Sequence, residues 1–298
     1  MSALDASPAE REAVYEAAYN RLGFGFALAY YDILLSKPAN DTASEFVRRK
    51  IAERIEDPAL REKLVPGDHP FAARRPSVDS GYFEAFNREN VELVDLRETP
   101  LLEWTEEGLR TSAGVHALDV VIFATGFDAF TGPLLKPDIR GRGGVSLREK
   151  WADGPVTQLG VAVSGFPNLL ITAGPGSPSL LSNVLLSIEE QIDWFADLYR
   201  FMDARGIAAF EAEPQAEREW VEHVNARARE TLYMSTNSYY NGAEVAGKPR
   251  VFMPYSGGVR GYRRILEECA AKGFEGFRFE AAKAASAKAA RRPLATAG

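Results

Sequence analysis

Three short stretches hold residue types that could do chemistry. The first is Ala124-Thr125-Gly126-Phe127-Asp128, which ends the apolar run Leu118-Asp119-Val120-Val121-Ile122-Phe123. The second is Ala173-Gly174-Pro175-Gly176, which follows Leu169-Leu170-Ile171-Thr172 and leads into a helix-forming segment. In an open α/β sheet, ligands sit at the carboxyl ends of the strands. A helix N-terminus placed there offers free N–H groups and partial positive charge. Small residues let main chain approach a flat ring closely. Both stretches fit strand ends trimmed for a cofactor. They also fit plain turns after buried strands, and the residues alone leave both readings open. The third stretch is Arg74-Arg75, just before Pro76. A guanidinium stays charged and offers five donors in one plane, so it can hold a phosphate or stabilise a developing oxyanion. A solvated basic pair is the alternative.

The elements that must position these residues are partly legible. In 8–22, Val14, Ala18 and Leu22 stand four apart, which predicts an amphipathic helix. Thr42 with Glu45 fits a capping box ahead of a helix through Phe46, Ile51 and Ile55, and Pro58 should end or restart it. Residues 1–69 therefore read as helical. Short strand candidates follow. Residues 91–96 alternate, 101–105 and 109–112 can pair, and 119–125 are apolar on both faces, as in a central strand covered on both sides. Residues 166–174 read as a second buried strand. Residues 180–206 predict a long helix, with Leu185, Ile188, Ile192, Phe195, Tyr199 and Met202 at steps of three and four and Gly206 as its stop. Another helix is expected over 217–232. The Ala-rich, basic end of the chain reads as a frayed tail. Trp151, Trp194, Trp220 and Cys269 are expected in cores. His69, His116, His223, Glu189 and Glu190 are expected at the surface or in loops.

Composition narrows the function. With 298 residues and 46% hydrophobic content, the chain can build one large core or two smaller ones. No apolar run is long enough to cross a bilayer, and the acidic N-terminus lacks the pattern of a secretory signal. One cysteine excludes an internal disulfide, and three scattered histidines argue against a metal site. Cytoplasmic localisation is the expectation. A net charge of −7 gives no reason to expect nucleic acid as a partner. Phosphate loops of the dinucleotide type are missing: "GFGFAL", "GRGGVS" and "SGGVRG" each fail the spacing. A sheet shaped for a nucleotide without its phosphate loop suggests that the loop lies on polypeptide this chain does not contain.

Taken in order, several blocks resemble the Baeyer–Villiger monooxygenases that use FAD and NADPH, the phenylacetone and cyclohexanone monooxygenase group. They include "DSGYFEAFNRENVELVD", "DVVIFATGFDAFTG", "GFPNLLITAGPGSPSLLSNVLLSIEEQIDW", "NGAEVAGKPRVFM" and "GGVRGYRRILEECAAKGFEGF". The resemblance implies an α/β fold: remnants of two interleaved dinucleotide-binding, Rossmann-like domains with a helical N-terminal segment. Residues 1–69 would end a helical insertion in the NADP-binding domain. Residues 70–127 would be the C-terminal part of that domain, 128–280 the C-terminal part of the FAD-binding domain, and 281–298 a low-complexity tail. The glycine fingerprints and the family's F-x-G-x-x-x-H-x-x-x-W signature would belong to a missing N-terminal half.

The resemblance also implies a reaction. NADPH reduces FAD, the reduced flavin takes up dioxygen as a peroxide, and the peroxide attacks a ketone carbonyl to give an ester or lactone. Arg75 stands where the family has the arginine that supports the anionic species and contacts NADP. Arg74 stands where relatives commonly have a lysine facing NADP phosphate. Tyr239 replaces a tryptophan on the NADP side. Asn183, Val184 and Asp128 fall on the FAD side, and Ser179, Leu180 and Leu181 would line the pocket for a hydrophobic ketone or sulfide. Two further readings are a split or truncated remnant that needs a partner N-terminal half, and a flavin N- or S-oxygenase.

Overall fold

The structure of the chain, a computed structural model, describes residues 1–178, 180 and 182–282. The predicted frayed tail thus falls, from residue 283 on, outside the described residues. Two compact units emerge. Unit 1 comprises residues 1–129 and 228–248, and unit 2 comprises 130–227 and the chain from 249 on.

Unit 1 begins with helices α1 (Pro8–Leu22), α2 (Lys37–Ala52), α3 (Pro58–Leu64) and the short α4 (Tyr82–Ala85). Ser7 caps α1 reciprocally: its Oγ accepts from the Glu10 amide, and the Glu10 carboxylate accepts from the Ser7 amide at 2.9 Å. The buried side of α1 carries Tyr15 and Ala18, while Val14 is exposed, so the inward face is rotated from the predicted one. α2 starts at Lys37, with Pro38 in its first turn, and Thr42 lies inside it. The Thr42 hydroxyl donates to the Ala39 carbonyl at 2.8 Å and meets the Tyr15 hydroxyl at 2.7 Å. It therefore joins two helices instead of capping one, and the capping-box reading is corrected. Pro58 restarts the helix as expected, with Asp57 accepting from the Ala59 amide at 2.8 Å. The core is aromatic. Phe26 lies 5.2 Å from Tyr15, 5.5 Å from Phe46 and 5.2 Å from Phe71, ring centre to ring centre. Such pairs contribute about 0.5–1.5 kcal/mol each beyond the area they bury.

An antiparallel sheet of β1 (Leu101–Thr105), β2 (Gly108–Thr111) and β3 (Gly114–Ala117) follows, in the order β1-β2-β3. Its first hairpin is the predicted pairing, with Glu103 opposite Arg110. The other strands expected here do not form. Residues 91–96 and 119–125 have no ladder partner among the described residues. Ile122 is 86% exposed and Phe127 91%. A strand apolar on both faces is stable only between neighbours that supply backbone hydrogen bonds and cover. No described residue supplies those hydrogen bonds, and cover is limited to a half-buried Val121 and the Trp104 ring 5.5 Å from Phe123, so the buried-strand reading of 119–125 is corrected to an extended, largely uncovered segment.

Unit 2 holds α5 (Gly132–Leu135), α6 (Leu147–Lys150), α7 (Val184–Asp203), α8 (Pro214–Arg229) up to Arg227, and α9 (Gly258–Ala271). A two-stranded antiparallel ribbon pairs β4 (Ile207–Ala212) with β5 (Phe277–Ala281). Residues 166–174 are also not a strand. Ile171 is buried and its amide donates to the Val161 carbonyl at 2.8 Å, but the contact is isolated. α7 buries Ser187, Gln191, Trp194, Phe195, Leu198 and Met202, whereas Leu185, Ile192 and Tyr199 face outward. Gly206, at φ +63°, breaks the chain after it. Trp151, Trp194, Trp220 and Cys269 are buried, and burial pushes the Cys269 thiol up to about 12.

Candidate cofactor sites

The arginine pair sits on a loop pinned from below by a side chain that sequence reasoning passed over. Asn40, fully buried on α2, donates through Nδ2 to the carbonyls of Ile33 and Phe71 at 2.8 and 2.9 Å. Its Oδ1 accepts from the Phe71 amide and the Ser44 hydroxyl, both at 2.9 Å. Every polar atom of the amide is thus used, and the main chain of Phe71 is held at both its N–H and its C=O. Ala72 then turns at φ +60°, a strained value for a residue with a Cβ, and Arg74 and Arg75 follow. On the far side, Arg54 grips Asp79 with two nitrogens at 2.6 and 3.0 Å and also pairs with Glu84 at 2.6 Å. The hydrogen bond from Arg54 holds the Asp79 carboxyl below its ordinary range. The loop is therefore fixed at both ends.

Arg74 donates from Nε to the Asn237 carbonyl at 2.9 Å and lies 3.2 Å from Asp68. Arg75 lines a cavity of about 870 Å³ together with Arg48, Arg54, Arg74, Phe71 and Tyr82. Burial raises the phenols of Tyr233 and Tyr240, and the positive charge of Arg75 acts on both in the opposite direction. The ring of Tyr239 lies 4.6 Å from that of Tyr240. Unit 1 thus gathers Arg74, Arg75 and the segment of Tyr239 in one neighbourhood. Asp128 is in unit 1 as well, where its carboxylate accepts from Lys248 Nζ at 2.5 Å. The same Nζ donates to the Ala129 carbonyl at 3.1 Å.

In unit 2 the Ala173–Gly176 turn packs main chain against main chain. A Cβ on Gly174 would stand 2.4 Å from the Gly160 carbonyl oxygen, so only glycine fits. Gly176 donates to the Met253 carbonyl at 2.5 Å, and the Tyr255 amide donates to the Pro178 carbonyl at 2.8 Å. Asn183 caps α7, its Oδ1 accepting from the Leu185 amide at 3.0 Å. Val184, Leu185 and Leu186 leave the first turn of α7 apolar and exposed. Such a surface suits a flat ring better than a phosphate. Leu180 is buried, and Ser179 and Leu181 lie outside the described residues.

No family model matches the chain. Similarity to known proteins is nonetheless extensive. The chain is 39% identical over 280 residues to the 2-oxo-Delta(3)-4,5,5-trimethylcyclopentenylacetyl-CoA monooxygenase of Pseudomonas putida, covering 92% of this chain and 51% of that one. It is 40% identical over 273 residues to a Baeyer-Villiger monooxygenase of Pseudooceanicola batsensis, covering 90% and 49%. The solved structure of an oxidized steroid monooxygenase bound to NADP superposes with a TM-score of 0.87 at 47% identity, over 94% of this chain and 52% of that one. The chain spans about half the length of the curated relatives it matches. These likenesses define its class, the α/β monooxygenases, among whose solved structures the OTEMO protein is a complex with FAD and NADP. Within that class its relatives are Baeyer–Villiger monooxygenases, and the chain matches their C-terminal half.

Proposed function

We propose that the chain supplies the C-terminal half of an FAD- and NADPH-dependent monooxygenase that inserts one oxygen atom beside a ketone carbonyl. The observation that carries this reading is the doubly pinned loop that presents Arg74 and Arg75 to a basic, aromatic-walled cavity. Residues 1–129 would belong to the NADP side and unit 2 to the FAD side. The cavity residues fit an anionic dinucleotide: Arg74 would face its phosphate, and Tyr239, outside the cavity lining, would stack near its ring. Bound flavin would supply the oxygen-activating chemistry. Arg75 would hold a permanent positive charge beside the oxygen atoms on which negative charge develops, at no reorganisation cost. The apolar turn at Val184 and the segment 179–181 would exclude water from a hydrophobic ketone or sulfide. A cytoplasmic setting goes with this reading.

A second reading has its own support. The uncovered segment 118–127 calls for polypeptide that supplies sheet neighbours, so the chain alone would be colourless and inactive until a partner N-terminal half docks. The experiment that tests both supplies the N-terminal half of the steroid monooxygenase relative in trans, with FAD, NADPH and cyclic or aromatic ketones. Ester formation is expected, and R75A should lower its rate by roughly 10²–10³. A complex that holds FAD yet consumes no NADPH with any ketone or sulfide would remove the proposed activity. A yellow, NADPH-oxidising 298-residue chain without the partner would remove the second reading.

A further inference from the structure

Unit 2 contains a polar chain with no part in the chemistry proposed above. Gln191, on the inward face of α7, is fully buried. Its Oε1 accepts from the Ala173 amide at 2.8 Å, and its Nε2 donates to the Tyr262 hydroxyl at 2.8 Å. Tyr262, on α9 and also buried, donates its hydroxyl hydrogen bond to the Leu159 carbonyl at 2.6 Å. The two ends of this chain therefore fall on the two main-chain segments that meet at the Gly174–Gly160 approach. Ala173, the residue held by Gln191, sits at φ +50°. That conformation costs about 1 kcal/mol or more for an alanine and needs an outside restraint. The preceding residue, Thr172, is exposed, and the bonds that hold the rest of the turn, from Ser177 to the Gly174 carbonyl, from the Thr157 hydroxyl to the Pro175 carbonyl at 2.6 Å and from Gly176 to the Met253 carbonyl, do not involve Ala173. Gln191 supplies the restraint.

We infer that Gln191 is a positioning residue that fixes Ala173 at the head of the Ala173–Ser177 turn, with Tyr262 tying the same glutamine to Leu159. An amide serves here because it accepts toward one segment and donates toward the other at once. A carboxylate would lack the donor, and a leucine would leave the Ala173 amide without its acceptor and the Tyr262 hydroxyl without its donor. That the turn faces a flavin rests on the proposed function; its restraint does not.

The test is amide exchange on the full 298-residue chain, comparing Gln191→Met and Tyr262→Phe. Gln191→Met should speed exchange at Ala173 by roughly tenfold or more, with the amides of α7 and α9 unchanged. Tyr262→Phe removes the link to Leu159 but leaves the acceptor on Ala173, so Ala173 should stay protected. Unchanged exchange at Ala173 in Gln191→Met overturns the inference. So does a uniform loss of protection across unit 2 in both variants, which would mark a packing role alone. Should Gln191→Met not fold, Tyr262→Phe decides: loss of Ala173 protection equal to that at Val161 overturns the inference. If the wild-type pattern holds but the complemented protein takes up no FAD, the proposed function fails and the positioning role stands.

Discussion

Glu217 accepts twice from Ser164, at 2.9 Å from its amide to Oε1 and at 2.7 Å from its hydroxyl to Oε2. One buried carboxylate on α8 thereby fixes a turn 53 residues earlier in the chain. Lys150 Nζ, 2.8 Å from Oε2, balances the charge and also donates to the Ser164 hydroxyl. Glu211 does the same for the next residue, accepting from the Gly165 amide at 2.8 Å. The 164–165 turn is held by two anions, each compensated by cations.

Truncating Glu217 leaves Lys150 and the Ser164 amide without their partner. E217A is expected to destabilise unit 2 by about 3 kcal/mol. E217Q, which keeps an acceptor, should cost about half of that. Urea unfolding followed through Trp151, Trp194 and Trp220 measures both. Equal midpoints for wild type and E217A would refute the clamp.

Acid should weaken unit 2 through Glu211. Burial alone would raise its pKa, but hydrogen bonds from Arg142, the Gly165 amide and Arg278 outweigh burial and hold it below the ordinary glutamate value. A carboxyl depressed in the folded state adds stability that is complete above its unfolded pKa of about 4.3. That stability is lost as pH falls through the folded value. The urea midpoint should therefore drop below pH about 4, and E211Q should show a shallower drop. Parallel pH profiles for the two proteins would contradict this assignment.

Asn40 should matter to the arginine loop out of proportion to its size. N40A strands the carbonyls of Ile33 and Phe71 and leaves the Phe71 amide only the Ser44 hydroxyl at 3.1 Å, and a cost of about 2–4 kcal/mol follows if two buried groups lose their partners. Thermal unfolding gives the magnitude. With both acceptors of the Phe71 amide removed in N40A/S44A, its exchange should rise before unit 1 unfolds globally, and a protected Phe71 amide there would count against the pin.

The uncovered segment makes a prediction about association. Val120, Ile122, Phe123 and Phe127 form an exposed apolar run, and Trp104 on β1 lies 5.5 Å from Phe123. Exposed runs of this kind drive self-association. The chain alone should form concentration-dependent oligomers in light scattering. I122D with F127D should shift it toward monomer without lowering the unfolding temperature, because neither side chain packs against a core. A wild-type monomer with a sharp, reversible transition would defeat the idea.

Much of the molecule was fixed by local residue pattern. α1, the restart at Pro58, the break at Gly206 just beyond α7 and the β1–β2 hairpin follow from capping, proline, glycine and alternation, which act over a few residues. The ordered blocks also carried the family. Other features depend on neighbours that no window contains. Runs 119–125 and 166–174 have strand composition, yet a strand exists only where a second backbone accepts its hydrogen bonds. The start of α2 was misread because Thr42 has the chemistry of a cap but spends its hydroxyl on Ala39 and Tyr15. Asn40 and Gln191 look like ordinary polar helix residues in sequence. Only the tertiary structure turns them inward, where a buried amide must find partners and so fixes whichever main chain provides them.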